Sequence, residues 1–136
     1  MANRLEDHSD EAKDRLNKSI YLALDQVGAF ITGEAQDELE ADPRRVRTGW
    51  LQNHINYKVN QQEKKAVVGT NVEYAVYVHE GTGKYHPQGR TTPWRYKDDK
   101  GKWHTTSGMK PNRFLKNAVE NNKDQIHGYL KDKIKP

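Results

Sequence analysis

The chain is 136 residues long, with 33% hydrophobic residues, a mean hydropathy of −1.14 and no cysteine; it fits one domain over 1–136, and disulfides and thiolate metal sites are excluded. No apolar run nears the roughly 18 residues of a membrane span, and the opening stretch Met1 to Asp10 is acidic and polar rather than a signal peptide. The net charge of +4 is unevenly divided: residues 1–42 hold four bases against eleven acids, a net of −7, whereas 43–136 hold nineteen bases against eight acids, a net of +11.

Such a chain is expected to be soluble, made in a reducing cytoplasm and free of membrane partners. Its apolar content is low for an isolated monomer, which predicts a core completed by association. The first element is a long helix over about 9–41. Ala12, Leu16, Ile20, Leu24, Val27, Ile31, Ala35 and Leu39 recur at steps of three or four and form one stripe. Ser9 or Asp10 is suited to cap its start, Gly28 and Gly33 to soften its middle, and Asp42-Pro43 to end it. About thirty residues of helix span on the order of 45 Å, longer than a domain of this size covers alone.

A basic linker, Arg44 to Arg47, leads to Thr48-Gly49-Trp50-Leu51. A hairpin is predicted over about 54–70, with Ile55, Tyr57 and Val59 on one face and a polar turn at Glu63-Lys64-Lys65. Tyr74, Ala75, Tyr77 and Val78 form a short helix broken by Gly81-Thr82-Gly83. A loop and second hairpin follow over about 84–106, turning at Asp98-Asp99-Lys100-Gly101, with Trp94, Tyr96 and Trp103 as cross-strand aromatics. A last helix over about 111–133 starts with Pro111 in its first turn and carries Phe114, Leu115, Ala118, Val119, Ile126, Leu130 and Ile134 on one stripe. The whole reads as an α+β fold: an antiparallel sheet of about four strands with a long N-terminal helix, a short central helix and a C-terminal helix packed on it.

Catalytic patterns fail when tested. Gly81-Thr82-Gly83-Lys84 lacks the glycine five residues earlier and the Ser or Thr that a phosphate-binding loop needs, those places holding Val78 and Tyr85. His79-Glu80 opens like a zinc-protease motif, but position 83 is glycine. His79, His86 and His104 lack metal-ligand spacing on one helix. Ser19 and Ser107 lack the context of a nucleophile. No cofactor, metal or catalytic residue is assigned, and the chain is read as not an enzyme.

Three motifs carry a resemblance. Val68 to Thr82, centred on Tyr74-Ala75-Val76-Tyr77-Val78-His79-Glu80-Gly81-Thr82, resembles the central signature "Y-A-x-Y-V-E-x-G-T" of the tail-component family of long-tailed bacteriophages. Thr48-Gly49-Trp50-Leu51-Gln52-Asn53-His54-Ile55 resembles its "T-G-x-L-x-x-S-I". Lys110-Pro111-Asn112-Arg113-Phe114-Leu115-Lys116-Asn117-Ala118 resembles its "P-x-x-F-L-x-x-A". The resemblance implies a structural virion protein, a tail-completion or head–tail joining (neck) subunit that assembles as a ring, commonly a hexamer, with connector, neck and tail-tube proteins as partners. DNA passes through such a ring without sequence-specific binding. The motif residues Thr48, Gly49, Leu51, Tyr74, Ala75, Tyr77, Val78, Gly81, Thr82, Pro111, Phe114, Leu115 and Ala118 are expected to be structural: Gly49 and Gly81 through backbone angles, Tyr74, Tyr77 and Val78 by pinning the short helix to the sheet.

Partner contact is expected from the basic loop and hairpin: Lys84, Arg90, Arg95, Lys97, Lys100 and Lys102. The acidic helix of a neighbouring copy is the favoured target over DNA, because a channel through which DNA slides should not hold phosphates tightly. Two other function classes are consistent with the residues. One is a sequence-independent nucleic-acid-binding module using Trp94, Tyr96 and Trp103 as stacking platforms. The other is a small metal-dependent hydrolase built on His79, Glu80 and His104.

Overall fold

One helix forms the spine of the molecule. In the computed structural model, which describes the backbone of residues 2–43 and 45–134 and the side chains of 9–43 and 49–134, α1 runs unbroken over Ala2–Glu40. It starts seven residues before the expected Ser9, so neither Ser9 nor Asp10 is its cap. Glycines 28 and 33 leave it continuous. Of the expected linker Arg44 to Arg47, Arg44 lies outside the described residues and the rest is helical, opening α2 (Arg45–Gln52). Then come β1 (Ile55–Asn60), β2 (Lys65–Thr70), α3 (Ala75–Glu80), a 3-10 turn at Gly83–Tyr85, β3 (Trp94–Lys97), β4 (Trp103–Thr106), α4 (Phe114–Glu120) and α5 (Lys123–Ile134). The fold is α+β, with four antiparallel strands as expected. They form two separate two-stranded sheets, β1–β2 and β3–β4.

The core lies along the second half of α1. Val27, Ile31, Ala35 and Leu39 meet Leu51 of α2, Ile55 of β1, Ala75 and Val78 of α3, and Phe114 and Ala118 of α4. Phe30 of α1 meets Tyr129 of α5 edge to face, at 5.2 Å between ring centroids. In β1 alternate residues turn inward from Ile55, so Ile55, Tyr57 and Val59 share a face as their spacing predicts. Tyr57 lies against Gly28, where an added Cβ would sit 2.9 Å from the ring Cγ, and its hydroxyl donates to Asp25 Oδ1 at 3.0 Å. Gly28 therefore serves close approach rather than bending. That hydrogen bond and the Asp25 charge hold the Tyr57 phenol above its ordinary pKa.

The C-terminal helix is in fact two, divided at Asn121-Asn122, where Asn122 Nδ2 donates to the Ala118 carbonyl at 2.8 Å. Pro111 precedes α4 rather than sitting in its first turn. Gly49 also departs from expectation: it lies inside α2, without a positive φ, and nothing stands within 4 Å of where its Cβ would be. Among the described side chains, those early in α1 are bare. Ser9 to Lys18 are all exposed, and Leu16 is 47% exposed, because the hairpin and the C-terminal helices cover only the later turns.

Candidate functional site

Two of the motifs meet at a clasp. Gly81 closes α3 at φ 80°, and Pro111 Cδ lies 3.0 Å from where its Cβ would be; a side chain there is excluded by conformation and by space. Thr82 N–H donates to the Met109 carbonyl at 2.9 Å, and Met109 N–H returns a bond to Thr82 Oγ1 at 2.8 Å. Lys84 N–H donates to the Ser107 carbonyl at 3.0 Å. Gly83 (φ 62°) and Gly108 (φ 126°) cross back to back within this pairing, and Gly89 packs on Gly83. Residues 82–84 and 107–109 are thereby held side by side, and everything between them leaves the body as an arm.

Asn112 completes the anchorage. Its N–H donates to the Val78 carbonyl at 2.8 Å, and its Nδ2 donates to Asp42 Oδ2 at 2.9 Å. Asp42 is the buried charged residue among those described, 6% exposed, so a charge-assisted bond is what makes its burial tolerable. His79 Nδ1 lies 2.8 Å from Glu80 Oε1, while Lys116 N–H donates to His79 Nε2 at 3.4 Å. Those partners assign the Nδ1–H tautomer, and the His79 bond holds Glu80 below its ordinary pKa. His79 thus bridges α3 and α4, and its ring packs on Phe114 at 5.2 Å.

The arm ends in the β3–β4 hairpin, which packs chiefly on itself. The register pairs Trp94 with Thr106, Arg95 with Thr105, Tyr96 with His104 and Lys97 with Trp103. Alternation then puts Trp94, Tyr96, His104 and Thr106 on one face and Arg95, Lys97, Trp103 and Thr105 on the other. The three aromatics expected to pair across the strands are therefore split: Tyr96 stacks on His104 at 5.3 Å, and Trp103 faces Lys97. Arg95 and Lys97 lie over the Trp103 ring, 5.1 and 5.8 Å from its centre, and Trp103 is 55% exposed.

Asp98 organises the turn. Its Oδ2 binds His104 Nε2 at 2.7 Å, and its Oδ1 accepts the N–H groups of Lys102 at 2.8 Å and Lys100 at 2.9 Å. The His104 bond, then these two amides, hold the Asp98 carboxyl below its ordinary range.

All six bases expected to contact partners are exposed. Arg95, Lys97, Lys100 and Lys102 belong to the hairpin and its turn, whereas Lys84 and Arg90 lie near the base of the arm, over the rings of Tyr85 and Trp94. Between the inner face of the hairpin and the body runs a cleft of about 1400 Å³, lined among others by Tyr74, Tyr77, Tyr85, Trp94, Tyr96 and Met109.

Of the motif residues, Leu51, Ala75, Val78, Phe114 and Ala118 are core, and Tyr74 and Leu115 pack against it. Tyr77 does not pin α3 to the sheet: it is 59% exposed and lines the cleft, because Ala75 and Val78 already occupy the inward face of that short helix. The side chain of Thr48 lies outside the described residues. Among the described residues, no three His, Asp or Glu are grouped to hold a metal ion.

The sequence marks Asp42 as a helix end, Gly83 as part of a chain break and Asn112 as a motif position, but gives none of them a part in a clasp, and Gly89 and Gly108 carry no assigned role. The glycines before and after the predicted hairpin were the signal for its clasp. Nothing in the sequence pairs Asp42 with Asn112.

No curated protein and no solved structure matches the chain. A family model described as "Bacteriophage HK97-gp10, putative tail-component" matches residues 1–81. The match takes in α1, the Thr48 to Ile55 motif and the Val68 to Thr82 motif up to Gly81; the arm and the Pro111 motif follow it. With more than half of its length matched, the chain belongs to the HK97-gp10-like family of bacteriophage tail components.

Proposed function

We propose that the chain is a ring-forming tail-completion or head–tail joining subunit of a siphovirus-type phage or prophage. Copies, six by resemblance to neck proteins, close around a channel through which the genome passes, and they meet connector, neck and tail-tube proteins above and below. The observation that carries this reading is that a tail-component chain leaves two large surfaces uncovered by its own fold: the turns of α1 over Ser9 to Lys18, and the arm with its exposed bases. A subunit that closes a ring head to tail needs two different surfaces of that kind. The role is structural, and no catalytic step is invoked.

The experiment is assembly in vitro. Purified protein is mixed with tails or connectors and viewed by electron microscopy, beside the triple variant Lys97→Glu, Lys100→Glu, Lys102→Glu. Rings at the joint for the native chain, and none for a variant with an unchanged circular dichroism spectrum, support the reading. Unimpaired joining by the variant refutes the part given to the arm.

One observation favours a second reading, contact with DNA: Trp103 faces outward beneath Arg95 and Lys97. Stacking on a single such ring, with Trp94 and Tyr96 turned the other way, is a smaller platform than three aligned rings. A gel shift that weakens steeply with salt would support it.

A further inference from the structure

The two faces of the β3–β4 hairpin are unlike. On the inner one, toward the cleft, Trp94, His104 and Thr106 are half-buried and Tyr96 alone is exposed. On the outer one Arg95, Lys97, Trp103 and Thr105 are all exposed, and Lys100 and Lys102 stand at its turn end. Charge on this arm is out of balance. Residues 84–106 hold six bases against two acids, Asp98 and Asp99, a net of +4 with both carboxylates counted in full. None of the six bases makes an ion pair among the described residues.

The chain's own acids do not offer a matching surface. Ser9 to Lys18 hold three acids and three bases. Over 19–42 there are six acids and no base, and Arg44, Arg45 and Arg47 follow directly in sequence. Of those six acids only Asp37 and Glu40 are exposed. A second copy, with a net charge of +4, is therefore a poor match.

Nor does the outer face suit DNA. The face of the Trp103 ring beneath Arg95 and Lys97, 5.1 and 5.8 Å from its centre, is taken by these cations and closed to a stacking base. Trp and Arg side by side are instead the residues that anchor contacts between proteins. The cation–π contacts also hold two long side chains in place before a partner arrives, which lowers the entropy cost of docking.

We infer that the outer face of the hairpin docks on an acidic surface of a different virion protein, carboxylates meeting Arg95, Lys97, Lys100 and Lys102 around Trp103 as the anchor. This rests on the reading of the chain as a ring subunit. It divides the arm between its faces, the outer to a different protein and the inner left to the ring. A face of two four-residue strands, roughly 13 by 10 Å, is small beside the roughly 800 Å² that one partner gives to a standard interface. One copy alone binds weakly, and a ring that presents several arms at once binds firmly.

Carbodiimide coupling reads the contact directly, because it joins a lysine amine to an Asp or Glu carboxylate and leaves DNA phosphodiesters unlinked. Full-length protein is joined to purified tails or connectors, coupled, digested and analysed by mass spectrometry. Peptides linking Lys97, Lys100 or Lys102 to acids of a connector, neck or tail-tube protein are expected. The variant Lys97→Arg, Lys100→Arg, Lys102→Arg keeps the charge and should join as the native chain does, with those links gone. Trp103→Ala should raise the protein concentration needed for half-maximal joining about thirtyfold, the loss of a central anchor. Thr105→Glu, which sets a carboxylate opposite Arg95, should raise it about tenfold.

Joined particles whose arm lysines link only to other copies of this chain overturn the inference in favour of contact between copies. Joined particles with no link from these lysines to any protein overturn it outright, and ultraviolet linkage of the arm to DNA in them makes DNA the occupant. Both results leave the tail-joining role standing. Links to an acidic protein of the particle away from the joint support the contact and refute that role.

Discussion

Gly28 and Gly33 stand five residues apart in one helix, and the structure assigns opposite signs to the same substitution. At Gly33 a Cβ meets nothing within 4 Å, so Gly33→Ala gains the helix preference of alanine, about 0.8–1 kcal/mol. At Gly28 the new Cβ would stand 2.9 Å from Tyr57 Cγ and 3.1 Å from its Cε2. The ring cannot simply turn aside, because its hydroxyl is bound to Asp25 and its strand is paired with β2. Overpacking of this kind costs about 1–3 kcal/mol, and a lost Tyr57–Asp25 bond adds about 1 kcal/mol. Set against the same helix gain, Gly28→Ala should destabilise by about 1–3 kcal/mol. Urea unfolding followed by circular dichroism measures both. In a Tyr57→Ala background the ring is gone, and Gly28→Ala should become stabilising, a coupling that a double-mutant cycle isolates. A Gly28→Ala protein as stable as Gly33→Ala would refute the close approach of β1 to α1.

Asn112→Leu removes the Nδ2 bond to buried Asp42 and should cost about 1.5–3 kcal/mol in the same unfolding assay. Lys64 holds φ 54° in the β1–β2 turn; Lys64→Gly relieves a left-handed residue and should raise stability by about 0.5–1 kcal/mol. Because the folded Asp98 carboxyl sits below its ordinary pKa, the turn it organises is fully held above that ordinary value. The hold is lost as pH falls through the lowered one. Tryptophan fluorescence should report this acid transition, and Asp98→Asn should abolish it. Tyr57 runs the other way: its pKa is raised, so its contribution is complete below the ordinary phenol value and lost as pH rises through the folded one. An alkaline melt should show that loss, and Tyr57→Phe should not.

Regular features were legible in the sequence because they repeat. The stripe from Val27 to Leu39 and the alternation from Ile55 to Val59 each report a buried face, and both lie where their periods put them. Signals carried by a single residue were read less well. Gly49 looks like a backbone requirement and is an ordinary helical residue. Tyr77 looks like core and is open, since a short helix with Ala75 and Val78 inward has no inward place left for it. Pro111 looks like a helix start, yet its position is set by Gly81, thirty residues away in sequence. The three aromatics of the second hairpin could be divided between faces only once the register was known, because moving the pairing by one residue exchanges the faces. The six basic positions were visible as a charge cluster; that four ride on a hairpin standing off the body depends on a clasp no local pattern spells out.

That clasp makes the arm an exchangeable part. With residues 82–84 and 107–109 bonded side by side, the chain leaves and re-enters the body at nearly one point. The body is then indifferent to what lies between: doubling the length of such an excursion costs only about 0.6 kcal/mol of closure entropy. The family match covers residues 1–81, so the arm lies outside it, as do α4 and α5 of the body. A lineage can therefore lengthen, shorten or recharge this hairpin to suit a new neighbour while the spine and core stay as they are. Specificity can drift at the end of a stalk whose foundation is fixed by four glycines, Gly81, Gly83, Gly89 and Gly108.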